Sequence, residues 1–452
     1  MSTIYQCPWK AYTGRRNLQH EDRETIDRVR DEVFAEHVRY AAEHSPFYRR
    51  VFRERGVNLD DVRGVRDAVR LPFTDKSDLN ERNDEFLAVP EEEIVDVCLT
   101  SGTSGVSATR LLQTSSDLLR LAYNEEISFR IAGLGAGDTM LISAALDRCF
   151  MAGLAYFLGG SAISAKMIRA GASSAAVQWE MIRSLGPSAI VGVPSMMARI
   201  AAAAREAGGD PGKAGITRLI AIGEAIRDEE MRLLPAAATL ERAWDAEIYS
   251  TYASTELATT FIECECRAGG HERPEMIVVE IVDDDGNPLP EGERGEVVVT
   301  PLGVRGMPLV RYRTNDISFL IPEPCVCGRT TRRIGPILGR KNQMLKYKGT
   351  TVFPNAILSA LEGDGRFHGG YVEARLFPDG TDRIILHAAV KPGGDLSAVP
   401  VDRTAAVIAD LVRAKVRVAP EIAIVTPEEL DARVYTQEKR KRVQFIDLRS
   451  DT

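Results

Sequence analysis

The chain has 452 residues, too many for one simple core, so two or three domains are expected. Hydrophobic residues make up 44 % and charged residues 27 %, and the formal net charge is -8. That balance is ordinary for a globular protein and calls for neither nucleic acid nor an anionic membrane face. No apolar run reaches the length of a bilayer span, and the opening MSTIYQCPWKAYTGRR lacks the apolar core of a secretory leader, so a cytoplasmic protein is expected.

In chain order, residues 23 to 44 read as an amphipathic helix, with Ile26, Val29, Val33, Phe34, Val38 and Ala41 at helical spacing. HSPFYRR ends it, because the residue before Pro46 is biased away from helix. From about Asp138 to Glu256, short apolar runs alternate with helical patterns. TMLIS, AIVGV (Ala189 to Val193) and RLIAIG read as strands; SMMARIAAAAREAG and EAIRDEEMRLL read as helices. This alternation predicts βαβ units and a largely parallel sheet, which binds ligands at the carboxyl ends of its strands. After Thr260, EMIVVEIVDDDGNPLPEGERGEVVVTPL reads as a long hairpin. Beyond Arg340, YVEARLF, RIILHAAV and EIAIV read as strands and TAAVIADLVRAKV as a helix, enough for a small α+β domain. The expected division is a large α/β domain with a β-rich subdomain over 1–338, a boundary at 339–343 and a small α+β domain over 344–452.

Four stretches could carry chemistry. Thr100, Ser101, Gly102, Thr103, Ser104 and Gly105 read T-S-G-T-S-G, where glycines can turn backbone N–H groups toward an anion and hydroxyls add donors. A plain polar turn satisfies the same pattern, and the spacing and lysine of a Walker loop are missing. YSTYASTE ends in Thr255 and Glu256, whose carboxylate could hold Mg²⁺. VRYRTND ends in Asp316, which could accept from both hydroxyls of a ribose. GRKNQMLKYKGTTVFP places Arg340 at the expected domain boundary.

In this order the stretches resemble the adenylate-forming superfamily of acyl-CoA synthetases, luciferases and adenylation domains, and most closely the phenylacetate–CoA ligase family. AAEHSPFYRRVFRERGV, LPFTDKSDL, GERGEVVVTPL and CVCGR extend the resemblance over nearly the whole chain. It implies an ATP-dependent ligase that forms an acyl-adenylate from a carboxylic acid and passes the acyl group to coenzyme A. It implies that Thr100 to Gly105 wrap the β- and γ-phosphates and that Gly223 and Glu224 wall the adenine pocket. Tyr252 would pack on adenine, Thr255 would touch the α-phosphate, and Glu256 would hold Mg²⁺. Asp316 would take the ribose hydroxyls, with Arg340 nearby. EKRKRV resembles the family's G-K-x-x-R-V pattern and makes Lys439 the lysine that serves adenylation. RCFMAGLAYFLGGSAISAKM matches the acid-pocket segment, with Phe150, Met151, Tyr156 and Phe157 suited to an aryl or other hydrophobic acid; a buried helix explains the same side chains. The family's habit implies a homodimer.

The seven cysteines include two close pairs, Cys264/Cys266 and Cys325/Cys327, with His271 between them. Five donors in polar, loop-like segments predict a closed four-ligand zinc site. The family pattern selects Cys264, His271, Cys325 and Cys327, with Cys266 as a substitute, in a structural role. Two other functions fit the sequence. One is an adenylating enzyme that passes its acyl group to a carrier-protein thiol or an amine. The other is a catalytically silent, zinc-stapled scaffold, in keeping with Asn342 and Gln343 where the family has acidic residues and Glu438 where it has glycine.

Overall fold

The computed structural model describes residues 7–100, 109–347, 350–362, 364–376, 382–434 and 443–449. The chain forms two compact units. The first comprises Met1–Arg232, Thr239–Thr314 and Ser318–Pro336; the second comprises Leu233–Ala238, Asn315–Ile317 and Ile337–Thr452.

The first unit opens with α1 (Arg23–His44), started by Asp22, whose carboxylate accepts the Thr25 N–H at 2.8 Å. Pro46 takes the first position of α2 (Pro46–Glu54), where its missing N–H costs nothing. Asp75 and Asp78 form a capping box on the short α3 (Lys76–Glu81). Strands β1 (Ile94–Leu99) and β2 (Arg110–Thr114) pair antiparallel, Leu99 opposite Arg110. A second capping box, Thr114 with Asp117, starts α4 (Ser115–Ile131).

The predicted βαβ region is a parallel sheet. β3 (Thr139–Ser143), α5 (Met151–Ala162), β4 (Lys166–Arg169), α6 (Ala175–Leu185), β5 (Ala189–Gly192), α7 (Pro194–Glu206), β6 (Arg218–Ala221), α8 (Pro235–Trp244) and β7 (Glu247–Tyr252) follow in turn. Met140, Leu141 and Ile142 of β3 are fully buried, as the continuous apolar runs required. Truncating one of them to alanine costs about 2–5 kcal/mol. Gly186, at φ +56°, ends α6 in the left-handed conformation that other residues resist.

The sheet does not stop at β7. β8 (Phe261–Ile262), β9 (Gly270–His271), β13 (Leu320–Ile321) and β14 (Arg333–Ile334) continue it antiparallel, in the order β4-β3-β5-β6-β7-β8-β9-β14-β13. The hairpin predicted after Thr260 is β10 (Ile277–Val282) with β11 (Gly295–Pro301), and β12 (Tyr312–Ser318) follows.

One expected helix is absent. EAIRDEEMRLL is turn and bridge, because Arg227 is drawn into a buried ion pair with Glu263 and Asp228 accepts from Glu230 N–H, Arg232 N–H and the Arg232 guanidinium. Side-chain capture of the backbone there outweighs the helical spacing.

In the second unit, β15 (Gly339–Arg340) pairs with Asp316 and Ile317. β16 (Leu345–Tyr347) and β17 (Thr350–Val352) form a hairpin. A four-stranded sheet has the order β20-β19-β18-β21. Its strands are β18 (Phe367–Leu376), β19 (Asp382–Val390), β20 (Glu421–Val425) and β21 (Phe445–Asp447). With α9 (Pro354–Glu362), α10 (Val401–Val416) and α11 (Pro427–Val434) it makes the small α+β body expected there. Among the described residues no helix is long and apolar enough to cross a membrane.

Candidate active site

The carboxyl edge of the parallel strands carries Gly223, Glu224, Tyr252, Thr255 and Glu256. Beyond β5, Ser195 lies in the first turn of α7. Beyond β6, Gly223 adopts φ +70° and aims Glu224 at that helix start. The Glu224 carboxylate accepts the Ser195 N–H at 2.9 Å and the Ser195 hydroxyl at 2.5 Å. It therefore caps α7 and ties the two loops together. At the end of β7, Tyr252 stacks on Phe261 of β8, centroids 5.8 Å apart and 24° between planes. The Thr251 hydroxyl donates to the Ala221 carbonyl at 2.8 Å, locking β7 to β6 just before this point. Thr255 and Glu256 follow, both half-buried.

The loop between β1 and β2 has a fixed base. The Thr100 N–H donates to the Thr109 carbonyl at 3.0 Å, and the Thr109 N–H donates to the Thr100 hydroxyl at 3.2 Å. Ser101, Gly102, Thr103, Ser104 and Gly105 lie outside the described residues, as do Lys439 and Glu438. In the second unit the Arg340 guanidinium donates to Asp316 at 3.3 Å. The Asn342 and Met344 carbonyls accept from Arg449 at 3.0 and 3.1 Å, and Lys341–Gln343 is a single 3₁₀ turn.

In the segment read as the acid pocket, Phe150 immediately precedes α5 and Met151 is buried in its first turn. Tyr156 is buried with its ring centroid 6.2 Å from Phe129, and burial pushes its phenol well above the ordinary range. The Arg169 guanidinium sits 5.7 Å from the Phe157 ring. The glycines of this helix have a packing cause. A Cβ on Gly159 would collide with Glu125 of α4, one on Gly160 with Met167, and one on Gly153 with the Ala145 carbonyl.

The antiparallel half of the sheet brings Cys264, His271, Cys325 and Cys327 together, their donor atoms all within 4.8 Å of one another. Cys266 is not in the group. The Cys264 and Cys325 sulfurs are 3.7 Å apart, and Cys327 Sγ is 3.6 Å from His271 Nε2. A tetrahedral zinc with bonds of about 2.3 Å to sulfur and about 2.0 Å to nitrogen needs edges of about 3.8 and 3.5 Å. The donor set fits. Thr331 Oγ1 lies 3.2 Å from His271 Nδ1, leaving Nε2 as the ring atom toward the sulfurs. Burial, reinforced by Arg329 and Arg333, pushes His271 down to about 3, so the ring is the neutral ligand form.

Residues 35–305 match the family described as AMP-binding enzyme. The phenylacetate–coenzyme A ligase of Thermus thermophilus is 33 % identical over 355 residues, 76 % of this chain and 77 % of that one. The chain belongs to the AMP-binding enzyme family. The phenylacetate–coenzyme A ligase of Escherichia coli K12 is 30 % identical over 326 residues, 71 % of this chain and 72 % of that one. A solved structure of 2-hydroxyisobutyryl-CoA ligase, in complex with an acyl-AMP in its postadenylation state, superposes with a TM-score of 0.84 at 23 % identity. The superposition covers 96 % of this chain and 92 % of that one, and it shows the shared fold.

For an AMP-binding enzyme, three features of this edge were missing from the sequence reading. Arg227 grips Glu263 through two bonds, at 2.6 and 3.0 Å, and both side chains are buried. Glu263 also accepts the Ser250 N–H at 2.9 Å, so the turn after Gly223 is fastened to β7 and β8 together. Ser195 is the second, as the partner of Glu224. The third is the pair Arg148 and Cys149, consecutive non-glycine residues at φ +57° and +54°. Nothing in residue type or spacing announces the first two, which are contacts across loops. The composition of LDRCF gives no warning of the third.

Proposed function

We propose that the protein is an acid–coenzyme A ligase that activates a hydrophobic, aryl or similar carboxylic acid with ATP and Mg²⁺ and passes the acyl group to the thiol of coenzyme A. The observation that carries this reading is the strand-edge arrangement of Tyr252, Thr255 and Glu256 beside Gly223 and Glu224, in a chain 33 % identical to a phenylacetate–coenzyme A ligase. A carboxylate acylates poorly because its leaving group would be oxide. Attack of its oxygen on the α-phosphorus of ATP releases pyrophosphate and gives an acyl-adenylate whose carbonyl now carries AMP as leaving group. Thiol attack then forms the thioester. The protein needs no nucleophile of its own; it positions the reactants and stabilises developing charge.

Thr100 to Gly105 cradle the β- and γ-phosphates, from a hairpin base closed by Thr100 and Thr109. Tyr252, held flat by Phe261, offers its ring to adenine, and Thr255 donates to the α-phosphate. Glu224 spends its carboxylate on Ser195, so it serves the adenine pocket by shaping the Gly223 turn. Glu256 holds Mg²⁺, which neutralises triphosphate charge when bound. Asp316 takes the ribose hydroxyls with Arg340 at its side, and Lys439 reaches the reacting carboxylate and α-phosphate. Phe150 and the apolar start of α5 support the hydrophobic acid. Cys264, His271, Cys325 and Cys327 hold zinc in a purely structural role. The domain after Gly339 moves about the 339–343 hinge between the two half-reactions. Seven cysteines without a disulfide suit the reducing cytoplasm.

Acid-dependent ATP–pyrophosphate exchange, without coenzyme A, tests this reading on aryl, arylacetic, fatty, hydroxy and amino acids. Exchange with a hydrophobic class is expected, and adding coenzyme A should then give the thioester. Exchange followed by transfer only to a carrier protein or an amine would replace coenzyme A as the acceptor. No exchange with any acid, in folded protein that binds ATP, would favour the silent scaffold.

A further inference from the structure

We propose that the cavity beside Trp179 is a second small-molecule site, for an aromatic carboxylate, at the opposite edge of the parallel sheet from Gly223 and Tyr252. It stands apart from the adenylating function above. The cavity holds about 300 Å³, at the lower end of the range for small-molecule pockets. Its walls come from α6, through Trp179, Ile182 and Arg183, and from Asp210, Lys213 and Ala214 ahead of β6. The chain runs from α6 into β5 at Ala189 and from Ala214 into β6 at Arg218, so the cavity lies at the amino ends of those strands. Gly223 and Tyr252 lie at the carboxyl ends of β6 and β7.

Trp179 is 4 % exposed, and its indole N–H has no acceptor among the described residues. Trp244, the other buried tryptophan, donates to the Met197 carbonyl at 3.3 Å. A buried donor left unpaired forfeits its hydration without return, and such a group calls for a partner. The ring is held against the chain at Gly209, where a Cβ would come 2.6 Å from its Cζ2. An acceptor placed in the cavity that Trp179 lines supplies what the walls do not. Charge then selects the occupant. Lys213 and Arg183 bring two positive charges against the single carboxylate of Asp210 in the lining. Asp210 is committed, accepting the Gly212 N–H at 3.0 Å and pairing with Lys213 at 3.3 Å. Arg183 meets Glu180 at 2.9 Å, an exposed pair three residues apart on the helix. Exposed pairs of this kind contribute little and yield to a ligand carboxylate, which a guanidinium grips through two parallel bonds. Ile182 and the indole offer apolar surface to a ring. A flat ring bearing a carboxylate meets all three demands: the apolar wall, the excess positive charge and the indole N–H.

Titration with benzoate, followed on the indole N–H signals by nuclear magnetic resonance, tests the site without calling on catalysis. The chain has three tryptophans, and Trp179→Phe identifies the Trp179 signal by its loss. Benzoate should move that signal downfield, as an N–H moves on gaining an acceptor, and the movement should saturate. The double variant Arg183→Gln/Lys213→Met alters only exposed side chains and should weaken this binding by about 10-fold or more, the scale of a lost charge-assisted hydrogen bond. Benzyl alcohol, which lacks the charge, should move the signal far less. A Trp179 signal that stays in place, equal movement with benzyl alcohol, or benzoate binding undiminished in the double variant overturns the site. Absence of acid-dependent ATP–pyrophosphate exchange would overturn the adenylating function and leave this result unchanged.

Discussion

Replacing Arg227 with methionine tests what holds the turn after Gly223 against the sheet. The guanidinium meets Glu263 at 2.6 and 3.0 Å, with side-chain exposures of 6 % and 1 %, and a further bond at 3.2 Å goes to the Met231 carbonyl. The variant leaves a buried carboxylate with the Ser250 N–H as its remaining described partner. At a charge separation of about 4 Å and an effective dielectric of about 20, the lost attraction is about 4 kcal/mol. That agrees with the 3–5 kcal/mol typical of removing one partner of a buried pair. Arg227→Met should therefore lose about 4 kcal/mol in reversible chemical denaturation and weaken ATP, because the freed turn carries Gly223 and Glu224. The double variant Arg227→Met/Glu263→Leu removes the stranded charge and should recover most of the loss. A single variant losing under about 1 kcal/mol, or a double variant no better than the single, would refute this account of the turn.

Metal analysis of protein purified without chelator should find about one zinc per chain, and Cys325→Ser or stripping with a chelator should lower the thermal midpoint; metal-free native protein would remove the staple. Burial pushes the Glu275 carboxyl up to about 7, opposed by Arg273 and by the Tyr123 hydroxyl at 3.2 Å. The unfolded chain ionises this group near 4.5 while the folded chain keeps it protonated, so stability falls as pH rises between those values, by about 3 kcal/mol. Glu275→Gln should flatten that part of the stability–pH curve; an unchanged slope would deny the shift. Lys439→Ala should abolish acyl-adenylate formation and leave thioester formation from a supplied acyl-adenylate, and survival of both half-reactions would reject the lysine's role.

The fold was legible where one interaction dominates. Apolar runs such as TMLIS and RLIAIG have no alternative but a buried sheet, and the structure places β3 and β6 there. EAIRDEEMRLL failed because its helical spacing competed with Glu263, a partner dozens of residues away that no local pattern reveals. The continuation of the parallel sheet by β8, β9, β14 and β13 was equally hidden, since each of these strands is two residues long. At the site, residues whose chemistry depends on identity, such as the Cys264/His271/Cys325/Cys327 set, could be named from the sequence and resemblance. Residues that act by holding others, such as Ser195, could not. The glycines of α5 pack against Glu125 and Met167, a role that composition does not announce.

The two halves of the sheet explain how a zinc held by Cys264, His271, Cys325 and Cys327, as proposed, would serve this enzyme without entering its chemistry. β8 and β9 are too short to hold their places by ladder bonds alone, yet β8 pairs with the end of β7, Tyr252 opposite Phe261. In the proposed function Tyr252 is offered to adenine, and Cys264 lies two residues beyond the end of β8. Three sulfurs and one imidazole around a zinc would leave no open position for water or substrate. Such a closed site would only fasten. It would fasten the antiparallel strands next to β7, on the side away from β6, while the Thr251 hydroxyl and the Arg227–Glu263 pair tie β7 to β6 and the turn that follows it.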